Sequence, residues 1–176
     1  MNSLKPKNIM KEKNDLKFIN PKWVKRFLSL ADEIATWSHD PSSKVGAVLV
    51  NCHGRIASTG YNGLPAGFDD SKITDREYKI PRVIHAELNC IANRNMSINE
   101  DCYLFVTHPM CIECAKIVAA HSFIKGVAWK FNPEFATKWN SCASVEFLKE
   151  HFMNLNNVDA YDVYSLTKDK IVMIGI

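Results

Sequence analysis

The segment VGAVLVNCHGRIASTG, residues 45–60, decides the fold predicted for this chain. Residues 45–50 are apolar and rich in β-branched side chains, which indicates a buried strand, and residues 55–60 have the composition of a second strand. The residues between them, NCHG at 51–54, are typical of a turn. The segment therefore predicts a β-hairpin at the start of a sheet.

Helices are predicted on both sides of this hairpin. Large apolar side chains recur at three- and four-residue steps from Trp23 to Trp37, a pattern typical of a helix with one buried face. After the hairpin, helical segments at 85–93, 111–120 and 135–152 alternate with apolar strands at 102–106, 126–129 and 158–164. This order predicts one mixed sheet with helices packed on it.

The length of 176 residues suits one domain with a sizeable core. We divide the chain into a polar, basic N-terminal segment at 1–21, a domain at 22–167 and a short C-terminal tail at 168–176. Residues 71–82 are polar and are expected to form a surface insertion. Because there is no long apolar run and no apolar centre of a signal peptide, we expect a cytoplasmic protein without membrane contacts.

The net charge of +3 is unevenly distributed along the chain. Residues 1–26 contain eight Lys and Arg against two acidic residues, whereas residues 27–176 contain fourteen against seventeen. A nucleic-acid-binding protein is expected to carry a basic face on its folded body. The charge distribution therefore gives no indication of a nucleic-acid partner.

The six cysteines are expected to be reduced, because the chain has no secretion signal. Four of them have apolar neighbours and are predicted to pack as small apolar side chains: Cys52, Cys90, Cys102 and Cys142. The other two, Cys111 and Cys114, form a Cys-x-x-Cys pair.

Three residues have the spacing of a catalytic zinc site. His85 lies at the start of one predicted helix, and Cys111 and Cys114 lie at the start of the next. A catalytic zinc has three protein ligands and keeps one position for water. Helix N-termini also favour the thiolate form of cysteine, which binds metal. The sequence therefore predicts one Zn²⁺ ion per chain, bound by His85, Cys111 and Cys114.

Glu87 follows His85 by two residues, so its carboxylate can stand beside the metal without binding it. Two thiolates and one imidazole bring the net charge of a zinc site to about zero, and its water then benefits from a nearby base. We expect Glu87 to take a proton from this water and deliver it to the substrate. His108 is a further candidate ligand, but we expect it to line the pocket, because a fourth protein ligand would close the water position.

A His-x-Glu segment followed by Pro-Cys-x-x-Cys is the signature of zinc-dependent base deaminases. Here Met110 precedes Cys111 and Pro109 stands one position earlier, so the adjacent loop can differ in shape. The Cys-x-x-Cys pair alone would also fit a structural zinc site or a redox pair, and His-x-Glu alone carries little information. The two halves in this order predict hydrolytic deamination.

The chain resembles the deoxycytidylate (dCMP) deaminases of the cytidine deaminase superfamily, in a form similar to bacterial and phage members. The resemblance extends from about residue 23 to residue 164 and rests on DPSSKVGA at 40–47, GYNGLPAG at 60–67, DREYK at 75–79, HAELN at 85–89 and CIECAK at 111–116. It implies a three-layer α/β/α cytidine deaminase-like fold with a central five-stranded mixed sheet. It also implies conversion of dCMP to dUMP and ammonia, which feeds thymidylate synthesis.

The resemblance further implies an oligomer with nucleotide effectors. Many members are homohexamers that dCTP activates and dTTP inhibits, at a site that involves the loop Gly60, Tyr61, Asn62 and Gly63; a triphosphate effector would bring Mg²⁺ with it. Asn62 is similar to the residue that hydrogen-bonds the sugar, although its amide could instead only satisfy the turn. We interpret the glycines of this loop as positions with backbone angles that other residues avoid.

Recognition of a monophosphate requires cationic or amide donors, for which Lys44, Lys130 and Lys138 are candidates. We expect the backbone around Ala86 to hold the edge of the base. Three alternatives remain open: a deaminase of dCTP, 5-substituted dCMP or deoxycytidine, a nucleic-acid base deaminase of the tRNA adenosine type, and a regulator that keeps the zinc fold without catalysis. The acidic body argues against the second, and Glu87 argues against the third.

Overall fold

Five strands form a single sheet in this computed structural model, which describes residues 20–95, 100–138, 141–156 and 171–174. The strands are β1 (Gly46–Asn51), β2 (Ile56–Tyr61), β3 (Cys102–Val106), β4 (Ile124–Lys130) and β5 (Ile171–Ile174). Their order in the sheet is β2-β1-β3-β4-β5. Only β3 and β4 are parallel among these neighbours, and the other pairs are antiparallel. The predicted five-stranded mixed sheet is therefore confirmed.

The predicted hairpin is formed by β1 and β2. The side-chain oxygen of Asn51 accepts hydrogen bonds from the backbone nitrogens of His53, at 3.1 Å, and Arg55, at 2.8 Å, which closes the turn. Gly54 has a φ of 76°, a left-handed conformation that glycine adopts without steric cost. The turn chemistry in the sequence thus accounts for the local structure.

Six α-helices accompany the sheet in the described ranges: α1 (Pro21–Thr36), α2 (Arg76–Lys79), α3 (Ala86–Ala92), α4 (Ile112–Ala120), α5 (Pro133–Lys138) and α6 (Ser141–Asn156). The single helix predicted at 135–152 is therefore replaced by α5 and α6. None of the described helices is both long and apolar enough to cross a membrane.

The sheet separates two layers of helices, because its central strands are apolar on both faces. In β1, Ala47 and Leu49 pack into the cluster that contains residues of α3, α4 and α6. Val48 and Val50 point the other way, into the cluster formed with α1. This alternation follows from the two-residue period of a strand. The architecture is the expected three-layer α/β/α arrangement.

Helix α1 buries a different face from the one that its large side chains indicate. Trp23 and Trp37 are exposed, and the buried face consists of Val24, Phe27, Leu28, Ala31, Ile34 and Ala35. The reason is the close approach of α1 to Gly46: a Cβ atom there would lie 2.0 Å from the carbonyl oxygen of Ala31. Small residues on α1 and a glycine on β1 permit this contact.

The C-terminal boundary predicted at residue 167 is corrected by β5, which lies in the segment predicted to be a tail. Ile171–Ile174 pairs antiparallel with β4, with Ile174 opposite Val127 and Ile171 opposite Lys130. Its four residues are too short to produce a strand pattern in the sequence, and only the pairing with β4 identifies the strand. The strand predicted at 158–164 lies outside the described residues, as do residues 1–19 of the N-terminal segment.

The segment predicted as a surface insertion, residues 71–82, is largely exposed and contains compact local structure. A 3₁₀ helix spans Asp70–Thr74, and α2 follows directly. The carboxylates of Asp69 and Asp75 cap the two helices by accepting hydrogen bonds from backbone nitrogens of their first turns. Ile73 is buried and anchors the segment to the domain.

The cysteine predictions are confirmed in part. Cys90 and Cys102 are buried in the core, where burial raises the pKa of Cys90 to about 12 and that of Cys102 to about 11. Cys52 is half-buried. Cys142 is exposed, so the prediction that it packs as a small apolar side chain is wrong. Its position on α6 faces away from the core contacts that Leu148 and Phe152 make.

Candidate active site

Several loops meet at one end of the sheet and form the site. Because β1 and β3 are antiparallel, the start of β1 and the end of β3 lie together, and the Thr107 nitrogen donates to the Gly46 carbonyl oxygen at 3.0 Å. Beyond β2, Gly63 and Ile84 exchange backbone hydrogen bonds of 3.1 and 2.8 Å. This exchange places His85, the next residue, at the same end of the sheet.

The three predicted metal ligands lie together there. His85 is the N-cap of α3, Cys111 is the N-cap of α4, and Cys114 lies in the first turn of α4. The Nδ1 atom of His85 is 3.6 Å from the Sγ atom of Cys111 and 3.3 Å from that of Cys114. All three ligand atoms lie within 4.8 Å of one another.

These distances fit one tetrahedral ion. Zinc–sulfur bonds of about 2.3 Å and a zinc–nitrogen bond of about 2.0 Å at tetrahedral angles separate nitrogen and sulfur by about 3.5 Å. The observed nitrogen–sulfur separations are 3.3 and 3.6 Å. One imidazole and two thiols are also the ligand types that zinc prefers. The group can therefore hold a zinc ion.

The two thiols differ in acidity. The pKa of Cys111 is lowered to about 4, chiefly because the thiol of Cys114 donates a hydrogen bond to it, with a further contribution from His85. Its partner keeps the proton, and that hydrogen bond together with burial raises the pKa of Cys114. The pKa of His85 is raised, chiefly by its hydrogen bond with Cys111.

The carboxylate of Glu87 lies beside the metal-binding group. The residue is 4% exposed and lies in the first turn of α3, two positions after His85. Burial raises its pKa, and hydrogen bonds from its own backbone nitrogen and from Cys114 only partly oppose this effect. A buried carboxyl group with a raised pKa is suited to taking up and releasing protons near neutral pH.

An open cavity of about 790 Å³, continuous with solvent, leads to these residues. His85, Glu87 and Cys111 line its inner part, so the metal-binding group faces the cavity. The walls come from α2, α5 and the loops before β1 and after β3.

Three of the predicted substrate-binding residues line this cavity: Asn62, Ala86 and His108. The ring of His108 lies 4.4 Å from that of Phe135, measured between centroids, and its Nδ1 atom is 2.9 Å from the Thr107 hydroxyl oxygen. Burial lowers the pKa of His108, which favours the neutral ring. His108 does not belong to the metal-binding group found among the described residues.

The side chain of Asn62 hydrogen-bonds the loop before β1. Its Oδ1 atom accepts from the backbone nitrogen of Val45 at 2.8 Å, and its Nδ2 atom donates to the carbonyl oxygen of Ser43 at 2.8 Å. Nδ2 also lies 3.4 Å from Asp40 Oδ2. Asn62 therefore satisfies the turn, and its contact with a sugar stays a prediction.

Two of the lysines predicted to bind phosphate do not line the cavity. The ammonium group of Lys44 is exposed and donates to the Thr36 carbonyl oxygen at 3.3 Å, at the end of α1. Lys130 forms an ion pair with Asp32 of the same helix. Lys138, the third candidate, does line the cavity. The sequence alone could not separate these lysines, because all three lie close to predicted elements of the site.

The glycines of the predicted effector loop are required for a physical reason that differs in part from the expected one, which was unusual backbone angles. Gly60 and Gly63 do not have positive φ angles, whereas Gly67 does, at 91°. At Gly60 the requirement is space, because a Cβ atom there would lie 2.3 Å from the backbone nitrogen of Cys90. Tyr61 is partly exposed and meets Trp37 edge-on, with ring centroids 6.3 Å apart. An effector role for this loop stays a prediction.

Sequence analysis missed a charged cluster in the cavity wall. The Nζ atom of Lys79 lies 3.1 and 3.0 Å from the two carboxylate oxygens of Asp40 and 2.8 Å from the hydroxyl oxygen of Ser42. Arg76 lies one turn before Lys79 on α2 and also lines the cavity. The available signal was the spacing of these two cations, which places them on one side of a helix.

Met110 does not disturb the metal-binding loop. Its side chain is buried in the core beside α4, and its carbonyl oxygen accepts a hydrogen bond of 2.8 Å from the hydroxyl group of Ser144 on α6. The helix begins at Ile112, after the N-cap Cys111. An apolar side chain at this position therefore anchors the loop as part of the core.

One imidazole and two thiols that can hold a metal ion face a cavity and lie beside a buried carboxylate. Three ligands and access to a cavity are the arrangement of a catalytic metal site, whereas a structural site has four ligands and is closed. The family model described as "Cytidine and deoxycytidylate deaminase zinc-binding region" matches residues 21–129. The chain belongs to this family.

Two relatives illustrate the match in sequence. An "Uncharacterized deaminase in luxG 3′region" of Aliivibrio fischeri is 40% identical over 121 residues, which cover 67% of this chain and 80% of that protein. The deoxycytidylate deaminase of Homo sapiens is 39% identical over 103 residues, which cover 54% of this chain and 58% of the human protein. The chain therefore spans little more than half the length of the human relative.

The dCMP deaminase of the cyanophage S-TIM5 has a similar fold. Its apo crystal structure has 26% sequence identity and a TM-score of 0.53, and covers 68% of this chain and 91% of that one. The structure of the same enzyme in complex with dCMP and dUMP has 24% identity and a TM-score of 0.59, and covers 74% and 93%. These neighbours support the cytidine deaminase-like fold derived above.

Proposed function

We propose that this protein catalyses the hydrolytic deamination of dCMP to dUMP and ammonia, with a zinc ion at His85, Cys111 and Cys114. The observation that carries the proposal is the buried carboxylate of Glu87 beside this metal-binding group at the inner end of an open cavity. A bound zinc would supply a polarised water as nucleophile. The dUMP formed would be a precursor for thymidylate synthesis.

Glu87 transfers the protons in this mechanism. Its carboxylate accepts a proton from the attacking water and delivers it to ring atom N3 of cytosine, which makes C4 more electrophilic. The water oxygen bonds to C4, and Glu87 takes the remaining proton of this new hydroxyl group and passes it to the amino nitrogen. The C4–N4 bond then breaks, ammonia leaves, and the oxygen on C4 becomes a carbonyl group. Burial raises the pKa of Glu87 above that of an ordinary carboxyl group, so its protonated form is easier to reach during the transfer.

The walls of the cavity position the base. The first turn of α3 brings the backbone of Ala86 to the cavity surface, where its peptide groups can hydrogen-bond the edge of the ring. His108 and Phe135 present ring surfaces to the same cavity, and burial keeps His108 neutral, so that a flat apolar ring can pack against them.

Similarity supports the choice of substrate. Deoxycytidylate deaminases of Homo sapiens and of Mycobacterium phage D29 are 39% and 32% identical to this chain over the matched residues. The match to the phage protein covers 88% of that protein, so the similarity spans nearly all of one dCMP deaminase. A deaminase of dCTP or of 5-substituted dCMP would use the same chemistry and is an outcome of the test below.

A substrate panel tests the proposal. The zinc-loaded protein is incubated with dCMP, dCTP, 5-methyl-dCMP, deoxycytidine, single-stranded DNA and tRNA, and ammonia release is measured. We expect the highest kcat/KM for dCMP. A clear preference for dCTP, 5-methyl-dCMP or a nucleic acid would replace the proposed substrate, and no ammonia release from any of them would refute the deaminase proposal.

Two matched variants test the role of Glu87. Glu87→Gln is expected to lower kcat by about 10²- to 10⁴-fold, the contribution typical of a general acid–base group, while the zinc content stays unchanged. Glu113→Gln is the control, because this glutamate lies between the two cysteines but is exposed and paired with Lys116 on the surface. Near-normal turnover by Glu87→Gln would remove Glu87 from the mechanism.

A homohexamer and regulation by dCTP and dTTP stay predictions from the resemblance. The loop at 60–63 is accessible through the partly exposed Tyr61. For an effector-bound Mg²⁺, the described residues offer no second group of three or more metal-ligating side chains. Sedimentation with and without dCTP would test the oligomer and the effector together.

A further inference from the structure

The lining of the cavity carries an excess of positive charge. Its cations are Arg76, Lys79 and Lys138, and its carboxylates are Asp40 and Glu87. Glu87 is buried in the first turn of α3, two residues from His85. The cavity thus offers cations for an anion in addition to the residues suited to the reaction.

The side chain of Lys79 is held in place by Asp40 and Ser42 in the cavity wall. Its side chain is 15% exposed and that of Asp40 is 5% exposed, so the ion pair is largely shielded from water. Two of the three donors of the ammonium group contact the two oxygens of Asp40, and the third contacts Ser42. Because two donors serve the same carboxylate, one of them can turn to an incoming anion while the other keeps the ion pair.

Ser42 also hydrogen-bonds Asp40. Its Oδ1 atom accepts hydrogen bonds from the backbone nitrogen of Ser42 at 2.9 Å and from the Ser42 hydroxyl group at 2.7 Å. Burial raises the pKa of Asp40, but these hydrogen bonds and the ammonium group of Lys79 outweigh the effect and leave the pKa below its ordinary value. The carboxylate is therefore charged at neutral pH and fixes the position of Lys79.

We propose that Lys79, together with Arg76, binds the 5′-phosphate of the nucleotide substrate and selects nucleotides over free nucleosides. This inference rests on the proposed function, because a deoxynucleotide with its base at Glu87 must place its phosphate elsewhere in the cavity. A phosphate dianion is complementary to two cations, and hydrogen bonds between ionised partners are the strong ones. Asp40 and Ser42 are positioning residues that orient Lys79.

Lys44 and Lys130 are poorer choices. Lys44 donates to the end of α1, Lys130 is paired with Asp32, and neither lines the cavity. Arg76 has no ion-pair partner among the residues that the structure describes, and it can therefore turn towards a ligand. Lys138 of α5 also lines the cavity, but Arg76 and Lys79 are the two lining cations that lie one turn apart on the same helix, where they can contact one phosphate together.

The test is the ratio of kcat/KM for dCMP to kcat/KM for deoxycytidine. Lys79→Gln keeps hydrogen-bond donors for Asp40 and Ser42 but removes the charge, and we expect it to lower this ratio by about 10- to 100-fold. The value for deoxycytidine should stay close to that of the unmodified protein. Arg76→Gln changes an exposed residue and should lower the ratio by a smaller factor, and Lys44→Gln is the control that should not change it.

If deoxycytidine is turned over too slowly for its kcat/KM to be measured, a binding measurement replaces the ratio. Calorimetry gives the Kd for dUMP, which Lys79→Gln should raise by the same factor and Lys44→Gln should not. Urea unfolding of each variant identifies a loss of folding. An equal loss of activity on both substrates, or an unchanged ratio and an unchanged Kd for dUMP, would overturn the inference and leave Lys79 as a residue that only shapes the wall.

The two proposals fail in different ways. If the unmodified protein does not deaminate dCMP, the proposed function fails before any variant is made. If it deaminates dCMP and Lys79→Gln keeps the preference for the phosphorylated substrate, the function stands and the phosphate assignment fails.

Discussion

Replacing Gly60 by alanine is expected to destabilise the protein and to damage the metal site. A Cβ atom at Gly60 would lie 2.3 Å from the backbone nitrogen of Cys90 and 2.5 Å from the carbonyl oxygen of Ala86, and ordinary contacts begin at 3.4 Å. Both atoms belong to the backbone of α3, which cannot rotate away as a side chain can. Helix α3 must therefore shift by about 1 Å relative to β2, since the interior is close-packed.

The size of the effect follows from this shift. Overpacking of a core typically costs about 1–3 kcal/mol, and a clash between backbone atoms belongs at the upper end. For a chain of this size, about 3 kcal/mol lowers Tm by about 6–12 °C. The shift also moves His85 and Glu87, which are carried by the start of α3. A displacement of about 1 Å of catalytic groups can cost about 100-fold in rate.

The matched control lies three residues away. An added Cβ atom at Gly63 would meet only ring atoms of Tyr61, at 3.6 and 3.8 Å, which are ordinary contacts. Because Gly63 does not have a positive φ, Gly63→Ala should be neutral or stabilising by up to about 1 kcal/mol. Urea unfolding, zinc content and dCMP turnover are measured for both variants. Equal stability of the two would refute the argument that Gly60 is required for close packing.

Three further predictions concern charge, thiols and metal. Asp40→Asn should lower the free energy of unfolding by about 1–3 kcal/mol at pH 7. The pKa of Asp40 is held below its ordinary value of 3.8, so its stabilising contribution is present above that value and is lost as the pH falls through the folded pKa. Urea unfolding should therefore show the two proteins converging in acid, and a pH-independent difference would contradict this. A thiol reagent applied to the folded protein should modify the exposed Cys142 and spare the buried Cys90, as read by mass spectrometry, and the reverse order would contradict the packing described for α6. Cys111→Ser should reduce the zinc content and, like a chelator, lower Tm; unchanged metal stoichiometry would exclude Cys111 as a ligand.

The central chemistry was predictable because it depends on short-range patterns. His85 and Glu87 are two residues apart, and Cys111 and Cys114 are three apart, so each pair is positioned by a single helix start. The hairpin of β1 and β2 was also predictable, because its turn is closed by Asn51 within four residues. In each case the residues that make the contact are neighbours in the chain.

For one glycine and two lysines, the sequence indicates a role that differs from the one that the structure shows. The glycine at position 60 was interpreted as a conformational requirement, whereas the structure requires it for the approach of α3. Lys44 and Lys130 were candidates for a phosphate contact because they lie near predicted strands, yet one caps α1 and the other pairs with Asp32. The contacts of a side chain depend on the direction in which it projects from its helix, strand or loop. Composition does not specify that direction.

The sequence by itself indicated the three residues that can hold a metal ion, the nearby carboxylate and the mixed α/β class, because these depend on local spacing and periodicity. Only the tertiary structure decided that Ile171–Ile174 completes the sheet beside β4 and that α2 forms a wall of the cavity. The ion pair of Asp40 and Lys79 joins residues 39 positions apart. Such contacts form only when folding brings distant segments together, and no local pattern in the chain specifies them.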